Sequence, residues 1–175
     1  MFDRSPFWSA APEWANVRIA VPGVSLQARS VPAQLVSGAV DAWLGVRGER
    51  AIGPRDPCSS GHYALRLSPD AVLRVGGDAL PAGWHPDHGI AVSDAGDAWI
   101  QIDIAGYGAE AVLAQGAEYA FSAAPGSATE SARMLFAGLV VAVSRRDAGW
   151  RLHVDRAWAP ALWRWLVVHA GAKDT

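Results

Sequence analysis

The stretch from residue 132 to residue 171 constrains the fold of this chain most strongly. Residues 135–144 are almost wholly apolar and β-branched, which predicts a single strand buried on both faces. Asp147-Ala148-Gly149 supplies a turn, and apolar and polar side chains then alternate over residues 150–155, as in a half-buried strand. Pro160 suits the first turn of a helix that ends near Gly171. The stretch therefore predicts a hairpin followed by a helix.

The closing helix carries one predicted stripe of large side chains at helical spacing. Its members are Trp158, Leu162, Trp165, Leu166 and His169. Residues that recur every three or four positions share a helix face, so this stripe is expected to pack on the hairpin.

The chain before this stretch has strands and helices in mixed order. Hairpins alternate with two or three helices without a steady strand–helix–strand rhythm, which predicts an α+β fold with a mainly antiparallel sheet and helices on one side. The predicted segments are a strand at 24–29, a helix or a strand followed by a helix at 33–44, a hairpin at 63–75 with a turn at 68–70, strands at 90–92 and 99–104, and a helix at 106–115.

Residues 1–23 differ from the rest by their three prolines and scattered aromatic side chains. We expect an extended arm without regular structure here, packed on the body of the protein or on a partner. Residues 24–175 are expected to form one domain, because the whole chain of 175 residues has the usual length of one.

Composition excludes several classes of protein. Half of the residues (51%) are hydrophobic and 18% are charged, so global disorder is not expected. A formal net charge of −2 gives no basic footprint for nucleic acid. No apolar run is long enough for a membrane span, and the first 18 residues lack the features of a secretory signal. The single cysteine fits a cytoplasmic location.

Nine tryptophans in a chain with so little charge are unusual. Tryptophan is rarely fully buried and is enriched at the centre of protein interfaces. The composition therefore indicates that a partner covers part of the surface.

Residues 106–111 (GYGAEA) have the glycine spacing of a dinucleotide-binding turn between a strand and a helix. Their context does not fit, since the segment after the helix is polar and loop-like instead of a second buried parallel strand. The glycines are better explained by a tight turn between strand and helix.

Three other features resemble sites and are more simply explained. His85, Asp87 and His88 offer metal ligands, but their spacing is tied to no helix or strand, so a solvated turn is expected. Cys58 has no local signature of a nucleophile and is expected to be structural. Asp94 and Asp97 are either an acid–base pair or parts of a turn, and the turn is favoured.

Two histidines fall in the closing hairpin and helix, and neither is assigned a catalytic role. His153 lies on the polar face of its predicted strand and is expected to be solvated. His169, near the end of the helix, interacts favourably with the helix dipole. No constellation in the sequence amounts to a self-contained active site, so no catalytic, cofactor-binding or metal-binding residue is assigned.

The closing hairpin and helix are locally basic, with several arginines close in sequence to tryptophans. Arg and Trp are typical of the residues that contribute most to interface affinity, although charges along a strand edge also prevent edge-to-edge pairing, and both interpretations stay open. The predicted interface residues are Arg156, Trp158, Trp163 and Arg164.

The same stretch resembles a known family. Arg145-Arg146 before a turn, followed by residues 155–166 (DRAWAPALWRWL), is similar to the C-terminus of the gamma subunit of heterotetrameric sarcosine oxidase. Two upstream segments agree in order and spacing and a third suits the family's N-terminal start, so the resemblance spans roughly residues 24–171. They are residues 24–29, the hairpin at 63–73, and the strand, glycine turn and helix within 92–116.

The resemblance implies a fold similar to the folate-binding domain of the glycine-cleavage aminomethyltransferases. It implies a small, non-catalytic accessory subunit of an oxidase of sarcosine or another N-methyl amino acid, with alpha and beta subunits as partners. FAD, FMN, NAD, zinc and tetrahydrofolate would then belong to those partners. The alternative is a free-standing folate-binding or aminomethyl-transfer protein of one-carbon metabolism, which fold analogy alone suggests.

Overall fold

The computed structural model describes residues 13–58, 61–121, 130–146 and 148–171. In chain order these residues form the strands β1 (Val17–Val21), β2 (Val24–Ser30), β3 (Ala33–Gly38), β4 (Ala51–Ile52), β5 (Tyr63–Ser68), β6 (Ala71–Val75), β7 (Gly83–His85), β8 (Ile90–Asp94), β9 (Trp99–Ala105), β10 (Arg133–Phe136), β11 (Leu139–Arg146) and β12 (Gly149–Asp155). The helices are α1 (Val40–Val46), α2 (Ala109–Gly116) and α3 (Ala159–His169).

The strands form two six-stranded sheets. Sheet A has the order β1-β2-β9-β12-β11-β10, and sheet B has the order β4-β5-β6-β3-β8-β7. Every strand pair is antiparallel except β4 with β5. The predicted α+β class with mainly antiparallel pairing is confirmed, but the chain has two sheets where one was expected.

The two sheets pack face to face, and each carries helices on its outer face. Helices α2 and α3 cover one face of sheet A, where Ile102 of β9 and Leu166 of α3 belong to the same core. Helix α1 covers the far face of sheet B through a second core. Between the sheets, Leu65 of β5 packs in a third core that includes Ala142 of β11. The expectation of helices on one side only is therefore wrong for the molecule, although it holds for each sheet.

Strands β9 and β12 pair in the middle of sheet A and are buried on both faces. The alternation predicted for both strands is present, because the isoleucines of β9 face the helices while Gln101 and Asp103 face sheet B. Residues 150–155 are not half-buried as expected. His153, expected to be solvated, is fully buried, because sheet B covers the face that a single sheet would expose to water.

The apolar run at residues 135–144 forms a hairpin instead of one long strand. Strands β10 and β11 pair through Phe136 and Leu139, and the chain reverses at Ala137-Gly138, where both residues have positive φ. Glycine adopts positive φ without steric cost, so Gly138 was the sequence signal for this turn. Because Gly138 lies inside an apolar run, the run was interpreted as one continuous strand.

The expected arm contains regular structure. Strand β1 pairs along its whole length with β2, so the expectation of an irregular segment is wrong for residues 17–21. Trp14 is buried against the core beneath α3. Residues 1–12 lie outside the described part of the chain.

Most of the remaining predicted elements are present. The hairpin of β5 and β6 turns at residues 69–70, and residues 33–44 are a strand followed by a helix. Helix α3 starts with Pro160 in its first turn and ends before Gly171, which has a φ of 82°. The short strands β4 and β7 lie outside the predicted segments.

Replacing Ile102 by alanine tests the core of sheet A. Ile102 is fully buried in its central strand, so we expect Ile102→Ala to lower the free energy of unfolding by about 2–5 kcal/mol, through lost burial and the cavity left behind. Urea denaturation measures this. Val168→Ala, at a half-exposed position on α3, is the control and should leave the midpoint almost unchanged; equal losses in both variants would contradict the assignment.

Candidate functional site

The four predicted interface residues do not share one environment. The side chain of Trp158, just before α3, is 56% exposed, and Arg164 is exposed on α3. Arg156 donates from Nε to the carbonyl oxygen of Asp97 (2.6 Å) and from Nη2 to Ser30 Oγ (3.2 Å). Arg156 therefore fixes the end of β12 to two neighbouring segments while remaining partly exposed.

Trp163 is a correction to the predicted interface. Its side chain is 7% exposed and packs edge-to-face on Trp14, with 6.4 Å between ring centroids. The helix turns this residue toward the core together with Ala159, Leu162, Leu166 and Val167. The ring of Trp163 is thus committed to the chain's own interior and is not presented to a partner.

The glycine run at residues 106–111 forms a tight turn, as its context indicated. Gly106 has a φ of 107°, and a Cβ at this position would lie 2.2 Å from the carbonyl oxygen of Gly23. The amide of Gly108 donates to that same oxygen (3.0 Å). This turn therefore packs on the β1–β2 turn, and its glycines are explained by that close approach.

The other sequence candidates occupy structural positions. His85 Nε2 lies 2.8 Å from the carbonyl oxygen of Pro81, and Asp94 Oδ1 accepts a bond from the amide of Gly96 in a turn. Cys58 is buried. His169 stacks on Trp165 at the end of α3. Over the described ranges, no group of three or more metal-ligating side chains comes together.

A buried polar cluster lies where sheet A meets sheet B, and sequence reasoning missed it. We call Tyr63, Gln101, Asp103, Arg151 and His153 the inter-sheet cluster. Tyr63 comes from β5 of sheet B, and the other four come from β9 and β12 of sheet A. All five are buried in the folded chain.

A two-pronged ion pair forms the centre of this cluster. Arg151 donates from Nε to Asp103 Oδ1 (2.7 Å) and from Nη2 to Oδ2 (3.0 Å). The two residues are directly opposite each other in the β9–β12 register. In a bidentate pair, two parallel N–H groups of the guanidinium bind the two carboxylate oxygens. A buried ion pair needs such hydrogen bonds to offset the loss of hydration.

The hydroxyl of Tyr63 connects this pair to the second sheet. It accepts a bond from Arg151 Nη1 (3.3 Å) and lies 3.0 Å from His153 Nε2 and 3.3 Å from Gln101 Oε1. The Tyr63 ring meets the His153 ring edge-to-face, with centroids 5.9 Å apart. A single side chain of sheet B thus satisfies polar groups on both central strands of sheet A.

Burial and charge fix the protonation of these groups. Burial alone would raise the pKa of Asp103, but its hydrogen bonds to Arg151 and the positive charges of Arg151, Arg146 and Arg29 hold that pKa below its ordinary value. Burial disfavours the charged form of Arg151, yet its bonds to Asp103 raise its pKa. The pair is therefore ionised at all ordinary pH values.

The two uncharged members stay uncharged. Burial, reinforced by the positive charge of Arg151, lowers the pKa of His153 to about 3. Burial also raises the pKa of the Tyr63 hydroxyl above its usual value. No titration among Tyr63, Asp103, Arg151 and His153 falls near neutral pH, so these groups suit a structural lock better than acid–base catalysis.

A sequence signal for the cluster did exist. Gln101 and Asp103 alternate with isoleucines in β9, and Arg151 and His153 alternate with apolar residues in β12. Polar side chains at the same spacing in two neighbouring strands indicate one shared polar face. What the pattern could not show is that this face is covered, because sheet B is distant in sequence from the end of β12.

A shallow cavity of about 310 Å³ lies beside β3 and β6, lined in part by Gln34, Arg74 and Leu80. The amide of Gln34 exchanges two hydrogen bonds with the backbone of Leu80, and Arg74 donates to the carbonyl oxygen of Asp78. The side-chain amide of Gln34 and Nη1 of Arg74 are therefore bonded within the chain, whereas Arg74 Nε is buried without a hydrogen-bond partner among the described residues. The described part of the chain also contains no helix with the length and apolar character needed to span a membrane.

Removing the buried carboxylate tests the ion pair. Asp103→Asn leaves the guanidinium of Arg151, which is 2% exposed, without its bidentate partner, so we expect a loss of about 3–5 kcal/mol in the free energy of unfolding. Chemical denaturation measures it. Asp97→Asn, at a fully exposed carboxylate, is the matched control; the assignment fails if both variants unfold at the same denaturant concentration.

The pKa of His153 predicts a loss of stability in acid. Below the ordinary pKa of 6.5 the unfolded chain binds a proton at this residue, whereas the folded chain does not until about pH 3. The free energy of unfolding should therefore fall as pH drops from about 6.5, by at most about 1.4 kcal/mol per pH unit. The contribution of Asp103 is present above its ordinary pKa of 3.8 and is lost as pH falls through its lower folded value.

A histidine variant isolates this effect. His153→Gln cannot take up the proton, so its stability should change less between pH 7 and pH 4.5 than that of the natural chain, measured by denaturation at several pH values. His88→Gln, at an exposed turn position, should retain the natural slope. Equal slopes in all three proteins would refute the assignment.

Comparison with known proteins adds a similarity of fold. No family model matches the sequence, and no curated protein matches it. Among solved structures, the chain is similar to a chain of the heterotetrameric sarcosine oxidase from Corynebacterium sp. U-96, solved in complex with pyrrole 2-carboxylate. The similarity has a TM-score of 0.65 at 16% sequence identity and covers 90% of this chain and 91% of that chain. Similarity at this level of identity shows a shared fold.

Proposed function

We propose that this chain is a small accessory subunit of a heterotetrameric oxidase of sarcosine or a related N-methyl amino acid. The observation that carries the proposal is the fold similarity, which extends over about nine-tenths of both chains and so involves nearly the full length of a chain from such an enzyme. The sequence resemblance of residues 24–171 to the gamma subunit supports the same assignment. The role is one of structure and assembly, within a cytoplasmic complex.

The chemistry of the chain supports a role without catalysis. Among the described residues, the inter-sheet cluster is the main concentration of buried titratable groups. Its titratable members keep one protonation state near neutral pH. Flavins, NAD, zinc and tetrahydrofolate, in this proposal, are bound by the partner subunits.

Trp158 is the side chain that we assign to the centre of the subunit contact. It is large, half exposed and located where β12 passes into α3. Arg156 lies two positions before it in the chain, and the exposed Arg164 lies on α3 six positions after it. A tryptophan with arginines nearby is the usual composition of an interface hot spot.

Affinity purification tests the assignment. A tagged chain expressed in its native host should elute with two larger subunits and with the absorbance of bound flavin. Trp158→Ala should reduce the recovered flavoprotein at least ten-fold, which corresponds to about 1.4 kcal/mol or more of binding free energy. Trp84→Ala is the matched control, because Trp84 is 64% exposed on β7 of the other sheet, and it should leave recovery unchanged.

Two results would count against the proposal. Elution of the natural chain alone, from an extract in which the flavoprotein is present, would contradict assembly. Heat of binding when tetrahydrofolate is titrated into the isolated chain would instead favour the free-standing folate-binding alternative. The accessory role predicts no such heat.

A further inference from the structure

Three arginines converge on one carboxylate at the inner face of sheet A. Arg29 of β2, Arg146 of β11 and Arg151 of β12 all form ion pairs with Asp103 of β9. Arg151 is buried, whereas the side chains of Arg29 and Arg146 are 40% and 39% exposed. The three guanidiniums therefore form a positive site that is closed on the side of Arg151 and open to solvent at Arg29 and Arg146.

The charges at this site do not balance. Three positive groups face one negative group, and within the described residues none of these arginines has a second carboxylate within 4 Å. The single charge of Arg151, held by two hydrogen bonds, is enough to balance that of Asp103, and Arg146 Nη1 also donates to Asp103 Oδ2. Arg29 and Arg146 are thus two cations in excess, in a chain whose formal net charge is −2.

Two polar atoms without partners lie on the same inner face of sheet A. Arg29 Nε is buried and has no hydrogen-bond partner among the described residues, and Arg29 Nη2 reaches Asp103 Oδ2 only at 3.7 Å. Ser144 Oγ is likewise buried without a partner, on β11 directly opposite Arg151. A buried donor without an acceptor is costly in a folded protein, so Arg29 Nε needs an acceptor from outside the described residues, and an anion attracted by the surplus positive charge can supply one.

We propose that Arg29 and Arg146 bind the carboxylate of a small organic acid above the Asp103–Arg151 pair. Both guanidiniums reach the same atom, Asp103 Oδ2, so they are close enough to each other for one carboxylate to contact both. Arginine matches the planar, delocalised carboxylate with parallel hydrogen bonds. The neighbouring negative charge of Asp103 favours a singly charged ligand over a phosphate dianion, because repulsion grows with the ligand's charge.

The alternative is that Arg29 and Arg146 are ordinary solvated surface cations. That account explains their partial exposure but not why two further guanidiniums lie within 4 Å of a carboxylate that Arg151 already pairs. It also predicts that different anions of equal charge interact equally and weakly with the site. The two accounts therefore differ in anion selectivity and in dependence on Arg29.

The experiment uses the full, isotopically labelled chain alone and so does not depend on the proposed subunit role. Sodium acetate replaces sodium chloride mole for mole at pH 7, and the NMR signals of the backbone amides are followed. We expect saturable shifts in the millimolar range around Arg29, Asp103 and Arg146. Arg29→Gln should weaken acetate binding at least ten-fold. Arg133→Gln, at an exposed arginine on the same face of sheet A, is the control and should bind acetate normally.

Arg29→Lys separates loss of binding from loss of folding. Lysine keeps the charge and loses the fork, so this variant should bind acetate more weakly than the natural chain and more tightly than Arg29→Gln. Non-saturating shifts, equal shifts with chloride alone, or unchanged binding in a folded Arg29→Gln chain would each overturn the proposal. So would saturable binding of inorganic phosphate in the absence of acetate binding.

Discussion

The bidentate bond between Asp103 and Arg151 is the interaction on which the two-sheet arrangement depends. Strands β9 and β12 are apolar toward the helices and polar toward sheet B, yet both faces are removed from water. A charge buried in this way is tolerated only when it is paired and hydrogen-bonded. Tyr63 completes the pairing from the opposite sheet, so sheet B can cover sheet A without leaving the groups of this ion pair unsatisfied.

Local features of the fold were accessible from the sequence, and long-range ones were not. The alternation of Ile100, Ile102 and Ile104 correctly predicted that these side chains share one face of β9, because alternation along a strand is a local property. The solvated position expected for His153 was wrong because its burial depends on Tyr63, ninety positions earlier in the chain. The single strand expected at residues 135–144 was wrong for a different reason, since its turn is made by a glycine inside an apolar run.

The tryptophans show the same limit at the surface. Composition indicated that some of them serve an interface, but it could not say which. The predicted stripe on the closing helix included Trp158 and Trp165, whereas the residues of α3 that are buried are at positions 159, 162, 163, 166 and 167. The observed face is therefore rotated from the predicted one, which places Trp163 inside and leaves Trp158 exposed. A helix phase that is wrong by one position is enough to exchange a buried residue for an exposed one.

The order of the strands also determines when each sheet can be completed during synthesis. Sheet B is built from one continuous segment, residues 33–94, whereas sheet A combines residues 17–30 with residues 99–155. Sheet B can therefore form as soon as its own segment has left the ribosome. Sheet A cannot form until later, because the hairpin of β1 and β2 pairs with β9, and β9 pairs with β12. Bringing β2 and β9 together closes a long loop, which costs conformational entropy. We therefore expect the pairing of these strands, and not the formation of sheet B, to be the slow step of folding.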